Sequence, residues 1–290
     1  MTANDLRQPG TAGTRVHTLR ARRLGIDSQY ETIVFMRKDC HVCRAEGFTA
    51  HNRVRLTNGK HSIIATLYQV TGELLVPNEA GLSESAWHRL GLDDGAEIVV
   101  SHPQPLESLS KVRGKVYGQE LDAAALDDII TDVVGGRYSD IHLSSFITAC
   151  SARPLTLAEM IALTRAMTEA GDRLTWPVQP VVDKHCVGGL PGNRTTPIVV
   201  AIVAACGLTM PKTSSRAITS PAGTADAMET LAPVDLDIPA MRRVVEREGG
   251  CVIWGGAVRL SPADDTLIRV ERALDLDSEG QLVASVLSKK

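Results

Sequence analysis

A glycine-rich segment at residues 183–196 carries the residue types that bind anions. Its glycines allow backbone N–H groups to approach a ligand closely, and Lys184 supplies a full positive charge. Thr196 precedes Pro197, which is typical of a helix start, so the positive end of a helix dipole adds to the attraction. Lys184 precedes the glycines, which excludes a P-loop, and the dinucleotide fingerprint is absent. The segment therefore predicts a phosphate-binding loop of another kind.

A second segment of similar composition covers residues 214–224. It brings Ser214, Arg216 and Thr224 together just before a predicted helix. Both segments follow a predicted strand, and the carboxyl ends of parallel strands meet at one edge of a sheet. Either segment alone is compatible with an ordinary glycine-rich turn. Two of them in successive strand–helix units favour a site that grips one phosphate from two sides.

The elements that must position these segments fall into three predicted domains. Residues 15–102 are predicted to form a small β-barrel-like domain, 103–175 a helical domain, and 176–290 a mainly parallel α/β phosphate-binding domain. Residues 1–14 are polar and are predicted to be disordered. Strands of the first domain are predicted at 32–37, 50–56, 62–70 and 97–100. The fold class is therefore α/β with an additional β-rich domain and a helical domain.

Periodicity and capping signals predict the helices. Apolar residues spaced by three and four predict a helix that ends at Gly135, and Thr156 with Glu159 forms a capping box that starts another. Strands of the α/β domain are predicted at 178–182, 208–210 and 251–254. The helix at 198–206 is apolar on every side, which predicts that it is buried.

Composition excludes several function classes. The 290 residues are 43% hydrophobic and 22% charged with a net charge of −3, so no nucleic-acid or membrane partner is required. No signal pattern or spanning segment is present, and the six cysteines are dispersed, so we expect a cytoplasmic protein. The four arginines near the N-terminus are interpreted as a solvated basic stretch: Arg15, Arg20, Arg22 and Arg23.

Two further groups invite a metal interpretation. Cys40 and Cys43 form a single Cys-x-x-Cys, which fits structural thiols best and leaves a metal site and a redox pair as alternatives. Asp264 and Asp265 fit the first turn of a helix as well as a metal site. We predict no metal and no cofactor.

Three ordered motifs resemble the thymidine phosphorylase family. Residues 184–189 read Lys-His-Cys-Val-Gly-Gly and resemble the Lys-His-Ser-Thr-Gly-Gly loop of that family. Residues 214–229 resemble its second signature, and residues 284–290 resemble its base-binding segment. The sequences of these motifs are most similar to those of one branch of the family. That branch contains thymidine phosphorylases and archaeal AMP phosphorylases with an extra N-terminal domain. Cys186 departs from the pattern because it replaces a phosphate-binding serine.

The resemblance implies reversible phosphorolysis of a nucleoside, with inorganic phosphate as co-substrate. It implies catalytic roles for His185, Asp277 and Arg216. It implies a set of phosphate-binding residues, namely Lys184, Gly188, Gly189, Thr196, Ser214, Ser215 and Thr224. It implies a set of nucleoside-binding residues, namely Arg269, Ser285 and Lys289. The expected partners are a nucleoside or nucleotide, phosphate, and further copies of the chain in a homodimer or larger homo-oligomer.

Three functions remain open from the sequence. The first is phosphorolysis of thymidine. The second is phosphorolysis of a nucleoside 5′-monophosphate, which is favoured by the similarity of the motifs to that branch and by the N-terminal domain. The third is a binding or assembly module without activity. Members of the family continue beyond the Ser-x-x-Ser-Lys-Lys helix, so we expect this chain to be a truncated form whose α/β domain is incomplete.

Overall fold

The computed structural model describes residues 17–28, 31–185, 194–216, 222–276 and 278–289. The chain divides into two compact units, one ending at Pro105 and the other beginning at Leu106. The segment predicted to be disordered, residues 1–14, lies outside the described residues. Nowhere in the described ranges is a helix both long enough and apolar enough to span a bilayer.

The first unit is a closed six-stranded barrel. Its strands are β1 Thr18–Arg23, β2 Ile33–Arg37, β3 Arg53–Asn58, β4 His61–Val70, β5 Glu79–Leu82 and β6 Glu97–Ser101. They close in the order β1-β5-β2-β4-β3-β6, with β1–β5 and β2–β4 parallel and the other pairs antiparallel. The predicted β-barrel-like domain is confirmed. Two short helices, α1 His41–Glu46 and α2 Glu84–Leu90, lie between strands.

The barrel strands follow from alternating burial. In β2, Val34 and Met36 point into the core while their neighbours are partly exposed. Strand β1 was missed by the sequence analysis, which interpreted its arginines as a solvated stretch. Leu19 and Ala21 of β1 are buried and Arg20 is exposed, so the strand has one core face and one charged face. A basic sequence is compatible with a strand when only alternate residues enter the core.

Helices dominate the second unit. They are α3 Ser108–Val116, α4 Ala123–Val134, α5 Asp140–Ala152, α6 Leu157–Glu169, α7 Thr195–Ala205, α8 Thr224–Glu229, α9 Ile238–Glu248, α10 Pro262–Leu274 and α11 Glu279–Leu287. The predicted capping box starts α6, where Glu159 accepts the Thr156 N–H at 2.8 Å. Although the sequence analysis assigned 176–290 to one α/β domain, α10 and α11 pack into the helical core. Leu267 and Ala284 join Phe146 and Leu163 there.

A small parallel sheet forms the α/β part. Strand β7 Met210–Ser214 pairs with β8 Gly250–Trp254, and Val181 adds a parallel bridge to Thr209. The predicted strand at 178–182 is therefore reduced to a single bridge. Adjacent strand residues point to opposite faces of a sheet, so Val252 packs with Val200 of α7 while Ile253 packs with α9.

Helix α7 differs from its prediction. We expected burial on all sides, yet Thr196 and Val200 are its buried residues, and Ile198 and Ile202 are 60% and 57% exposed. One face of α7 packs on β7 and β8 through Val200. Ile198 and Ile202 lie outside this contact, and no residue in the described part of the chain buries them. The expectation failed because apolar composition specifies what a helix can bury, not how many of its faces find a partner.

Candidate anion-binding site

The strand ends from which the two predicted loops begin lie at the same edge of the sheet. Strands β7 and β8 run parallel, and their last residues, Ser214 and Trp254, are paired in register. The bridge of Val181 to Thr209 is also parallel, so the chain from Val181 to Lys184 runs toward the same edge. The carboxyl ends of parallel strands are where ligands bind in open α/β sheets.

Lys184 contacts the start of α7. Its Nζ donates to Thr196 Oγ1 at 2.9 Å and to Thr195 Oγ1 at 3.2 Å. Its backbone N–H donates to Asp183 Oδ1 at 2.6 Å, which fixes the turn that carries the lysine. Thr196 is buried. A cation and two hydroxyls therefore converge at a helix N-terminus, the arrangement that the sequence predicted for Lys184 and Thr196.

The second loop joins β7 to α8. Ser214 and Thr224 are buried, and Ser215 accepts the Ala225 N–H through its carbonyl at 3.4 Å. Asp226 accepts the Gly223 N–H at 2.8 Å, which caps the first turn of α8. The Ala225–Ser215 contact holds the start of α8, with Thr224, close to the end of β7.

Arg216 is engaged by carboxylates. Its guanidinium donates to Glu229 at 2.6 and 2.8 Å and to Asp226 at 3.4 Å, and it stacks over the ring of Trp254 at 4.9 Å. The hydrogen bonds from Arg216 hold the pKa of Glu229 below its usual range. In this structure Arg216 therefore braces β7, α8 and β8 together.

The predicted nucleoside-binding residues lie on the helical bundle side. Arg269 of α10 makes a two-pronged contact with Asp140 of α5 at 2.6 and 2.7 Å. Ser285 lies on α11 and is half-buried, and Lys289, just beyond α11, forms an ion pair with buried Asp264. Arg269 and Lys289 thus each have a carboxylate partner that the sequence analysis did not identify.

Several predicted residues cannot be compared with the structure. Gly188, Gly189 and Asp277 lie outside the described residues, as does Cys186. His185 is the last described residue before that gap, and it is exposed. Their roles stay predictions.

Lys212 is a site residue that the sequence analysis missed. It lies in β7, is almost fully buried, and places Nζ 3.8 Å from Asp183 Oδ1. It also donates to the carbonyl of Thr213. The predicted strand ends at residue 210, whereas β7 continues to Ser214 and includes Lys212. A charged group in a buried strand usually has a partner, and here Asp183 lies close to it. Lys212 places a positive charge next to Asp183, the residue that precedes Lys184.

The Cys-x-x-Cys pair belongs to the barrel. Cys40 precedes α1, and its Sγ accepts the Cys43 N–H at 3.2 Å; both residues are packed in the barrel core. The hydrogen bond from the Cys43 thiol lowers the pKa of Cys40, and the same contact raises the pKa of Cys43. Within the described ranges, no three His, Cys, Asp or Glu side chains are grouped so that they could hold a metal ion. The packing agrees with the structural interpretation of these thiols.

Comparison with known proteins identifies the family. The helical bundle domain of a glycosyl transferase family matches residues 110–171, and the a/b domain of a glycosyl transferase family matches residues 178–279. The chain belongs to this glycosyl transferase family, and the resemblance to the thymidine phosphorylases is confirmed.

Among its relatives, "Putative thymidine phosphorylase 2" of Acidovorax sp. (strain JS42) is 66% identical over 96% of this chain and 54% of the relative. "Putative thymidine phosphorylase" of Hahella chejuensis (strain KCTC 2396) is 62% identical over 93% of this chain and 53% of the relative. The chain spans about half the length of the curated relatives it matches.

A solved structure supports the fold. Anthranilate phosphoribosyltransferase (TrpD) from Thermus thermophilus matches with a TM-score of 0.51 and 23% identity, over 61% of this chain and 54% of that chain. At that identity the likeness concerns the fold alone and carries no statement about substrate.

Proposed function

We propose that this protein is a nucleoside phosphorylase that transfers a pentosyl group from thymidine to inorganic phosphate. The observation that carries the proposal is the contact of Lys184 with Thr196, at the sheet edge where Ser214 also lies. A cation, hydroxyls and a helix N-terminus match the charge and the hydrogen-bonding needs of a phosphate. The relatives named thymidine phosphorylase support the same reaction class.

The reaction exchanges one bond at the anomeric carbon. The bond between C1′ and the base nitrogen breaks, a bond between C1′ and a phosphate oxygen forms, and the base leaves with the electron pair. The base then takes a proton, for which His185 and Asp277 are the proposed donors. The products are thymine and 2-deoxyribose 1-phosphate, and because no redox change occurs, phosphate is the only co-substrate.

The anion site contributes by positioning the nucleophile. Lys184, Thr196, Ser214 and Thr224 are proposed to hold phosphate beside C1′, with Ser215 and the backbone of Gly188 and Gly189 completing the site. Binding phosphate in this way removes water from it. It also holds the attacking phosphate oxygen in a fixed orientation toward C1′, so that the reaction no longer depends on a bimolecular encounter. Arg269, Ser285 and Lys289 are proposed to hold the nucleoside.

The test is phosphate-dependent release of base from thymidine by the complete natural protein. We expect Lys184→Met to lower kcat/KM by about 100-fold or more, because one charge-assisted contact to the reacting anion is lost. Lys111→Met removes an exposed lysine from α3 of the same unit and serves as the matched control. Equal losses in both variants, or no base release by the natural protein from thymidine, uridine or deoxyuridine, would refute the proposal.

The same assay separates the second substrate class. The similarity of the motifs to the branch with AMP phosphorylases favours nucleoside 5′-monophosphates as the alternative substrates. The products would be a base and ribose 1,5-bisphosphate. A kcat/KM on AMP, CMP or UMP that is at least about tenfold above that on thymidine would establish this alternative. Base release from neither class would leave the third function, a binding or assembly module.

A further inference from the structure

Asp264 is a buried carboxylate for which neither the sequence motifs nor the proposed chemistry has a role. It lies in the first turn of α10, is 2% exposed, and accepts a hydrogen bond from Lys289 Nζ. The two side chains are 3% and 10% exposed, so the pair is shielded from solvent. A buried carboxylate without a partner is strongly unfavourable, which ties the position of Asp264 to that of the lysine.

Neighbouring contacts fix where the pair can lie. Ser288 Oγ donates to Ser261 Oγ at 3.0 Å, and the Asp264 N–H donates to the Ser261 carbonyl at 3.0 Å. The residues that follow α11 are thereby joined to the residues that begin α10. Asp264 and Lys289 are consequently held on a framework that both helices support.

Gly255 connects this pair to the anion site. A methyl group on Gly255 would lie 3.9 Å from Lys289 Cδ and 3.7 Å from the carbonyl oxygen of Ser214. Gly255 follows directly after β8, so the lysine stem passes close to the ends of both strands. The stem of the lysine that Asp264 holds therefore lies near the end of β7, where the segment proposed to bind phosphate begins.

We propose that Asp264 is a positioning residue that holds Lys289 for contact with the base of the nucleoside. The inference rests on the proposed function and deepens it by adding a residue that acts through Lys289. A lysine ammonium has three N–H donors, so Lys289 can keep its bond to Asp264 while it donates to a carbonyl oxygen of the base. Because a lysine side chain otherwise samples many rotamers, the ion pair orients the ammonium before the nucleoside arrives.

The test measures binding and turnover in the complete natural protein. Asp264→Asn keeps the shape of the side chain and removes its charge, and we expect it to raise the KM for thymidine about tenfold or more. The KM for phosphate should change by less than about twofold, because Lys184 and Thr196 are untouched. Asp128→Asn, at an exposed carboxylate of α4 in the same unit, is the matched control and should leave both constants within about twofold.

Two more variants keep the result interpretable if Asp264→Asn folds poorly. Asp264→Glu retains the charge and should recover most of the thymidine affinity. The double variant Asp264→Asn/Lys289→Met should bind thymidine no more weakly than Lys289→Met alone, because Asp264 acts only through the lysine. Additive losses in the double variant would contradict the inference.

Calorimetric titration with thymidine and with phosphate separates this inference from the function on which it rests. If the natural protein binds both ligands and Asp264→Asn binds thymidine equally well, the positioning role is wrong while the proposed function stands. A lower melting temperature with unchanged thymidine affinity would show that Asp264 serves only the fold. If the natural protein binds neither ligand, the proposed function fails and this inference fails with it.

Discussion

The two units bury different kinds of side chains. The barrel core is apolar, and the buried polar residues described there are Thr32, Thr66 and Ser83. The second unit buries charges, including Lys115, Asp132, Glu159, Lys212 and Asp264. Closure lets every barrel strand satisfy its backbone on both sides, whereas the strands of the second unit lead into the loops for which we propose anion binding. Both units therefore have an apolar core, and the buried charges are concentrated in the second unit.

Breaking the Lys115–Glu159 ion pair should have the largest effect. Lys115 Nζ donates to Glu159 Oε1 at 2.8 Å, and the two residues are 3% and 1% exposed. Glu159→Gln leaves the ammonium buried without a counter-charge, so we expect the unfolding free energy of the second unit to fall by about 4 kcal/mol. Urea denaturation measures the loss, and Glu169→Gln at the exposed end of α6 is the control. A loss below that of the control would show that buried charge does not support this unit.

Removing apolar volume from the barrel should have the next largest effect. Leu67 on β4 is fully buried, and we expect Leu67→Ala to lower the unfolding free energy of the barrel by about 3 kcal/mol. Leu74→Ala is the control in the same unit, because Leu74 is half exposed. Fluorescence of Trp87 in a Trp176→Phe/Trp254→Phe background reports on the barrel alone. Equal losses for the two leucines would refute the view that the apolar core holds the barrel.

Acid should destabilise the second unit through Glu159. Burial opposes ionisation of Glu159, but hydrogen bonds from Lys115 and from the N–H groups of Leu121 and Thr156 outweigh it, so its pKa lies below the usual value. A lowered pKa in the folded state stabilises the fold above the unfolded-state pKa, and this stabilisation is lost as pH falls through the folded-state value. We expect the unfolding free energy of the second unit to fall as the pH drops from the unfolded-state pKa of a glutamate through the lower folded-state pKa of Glu159. In Glu159→Gln the unfolding free energy should depend less on pH. An unchanged acid profile in the variant would contradict this assignment.

Changing the exposed face of α7 should have the smallest effect. Ile202 is more than half exposed, so Ile202→Ser should change the unfolding free energy by no more than about 0.5 kcal/mol. Val200→Ser, on the buried face of the same helix, is the comparison and should cost clearly more because Val200 packs on Met210 and Val252. A large loss for Ile202→Ser would mean that this face of α7 is covered in solution.

The sequence by itself determined the features that depend on local chemistry. The Asn58-Gly59 turn between β3 and β4, the capping box of Thr156 and Glu159, and the approach of Lys184 to Thr196 each involve residues close in the chain. Glycine at positive φ, capping oxygens and a cation at a helix start impose the same geometry wherever they occur.

Only the tertiary structure decided which distant groups meet. Glu159 caps α6 and also neutralises Lys115, Asp264 holds Lys289, and Arg216 is engaged by Glu229. The same holds for α10 and α11, which join the helical core, and for α7, which buries Val200 and leaves Ile198 and Ile202 largely exposed. Periodicity and composition specify which face of an element is apolar or charged. The partner of that face depends on contacts across many residues of chain, because burial and ion pairing are satisfied by whichever group the fold brings near.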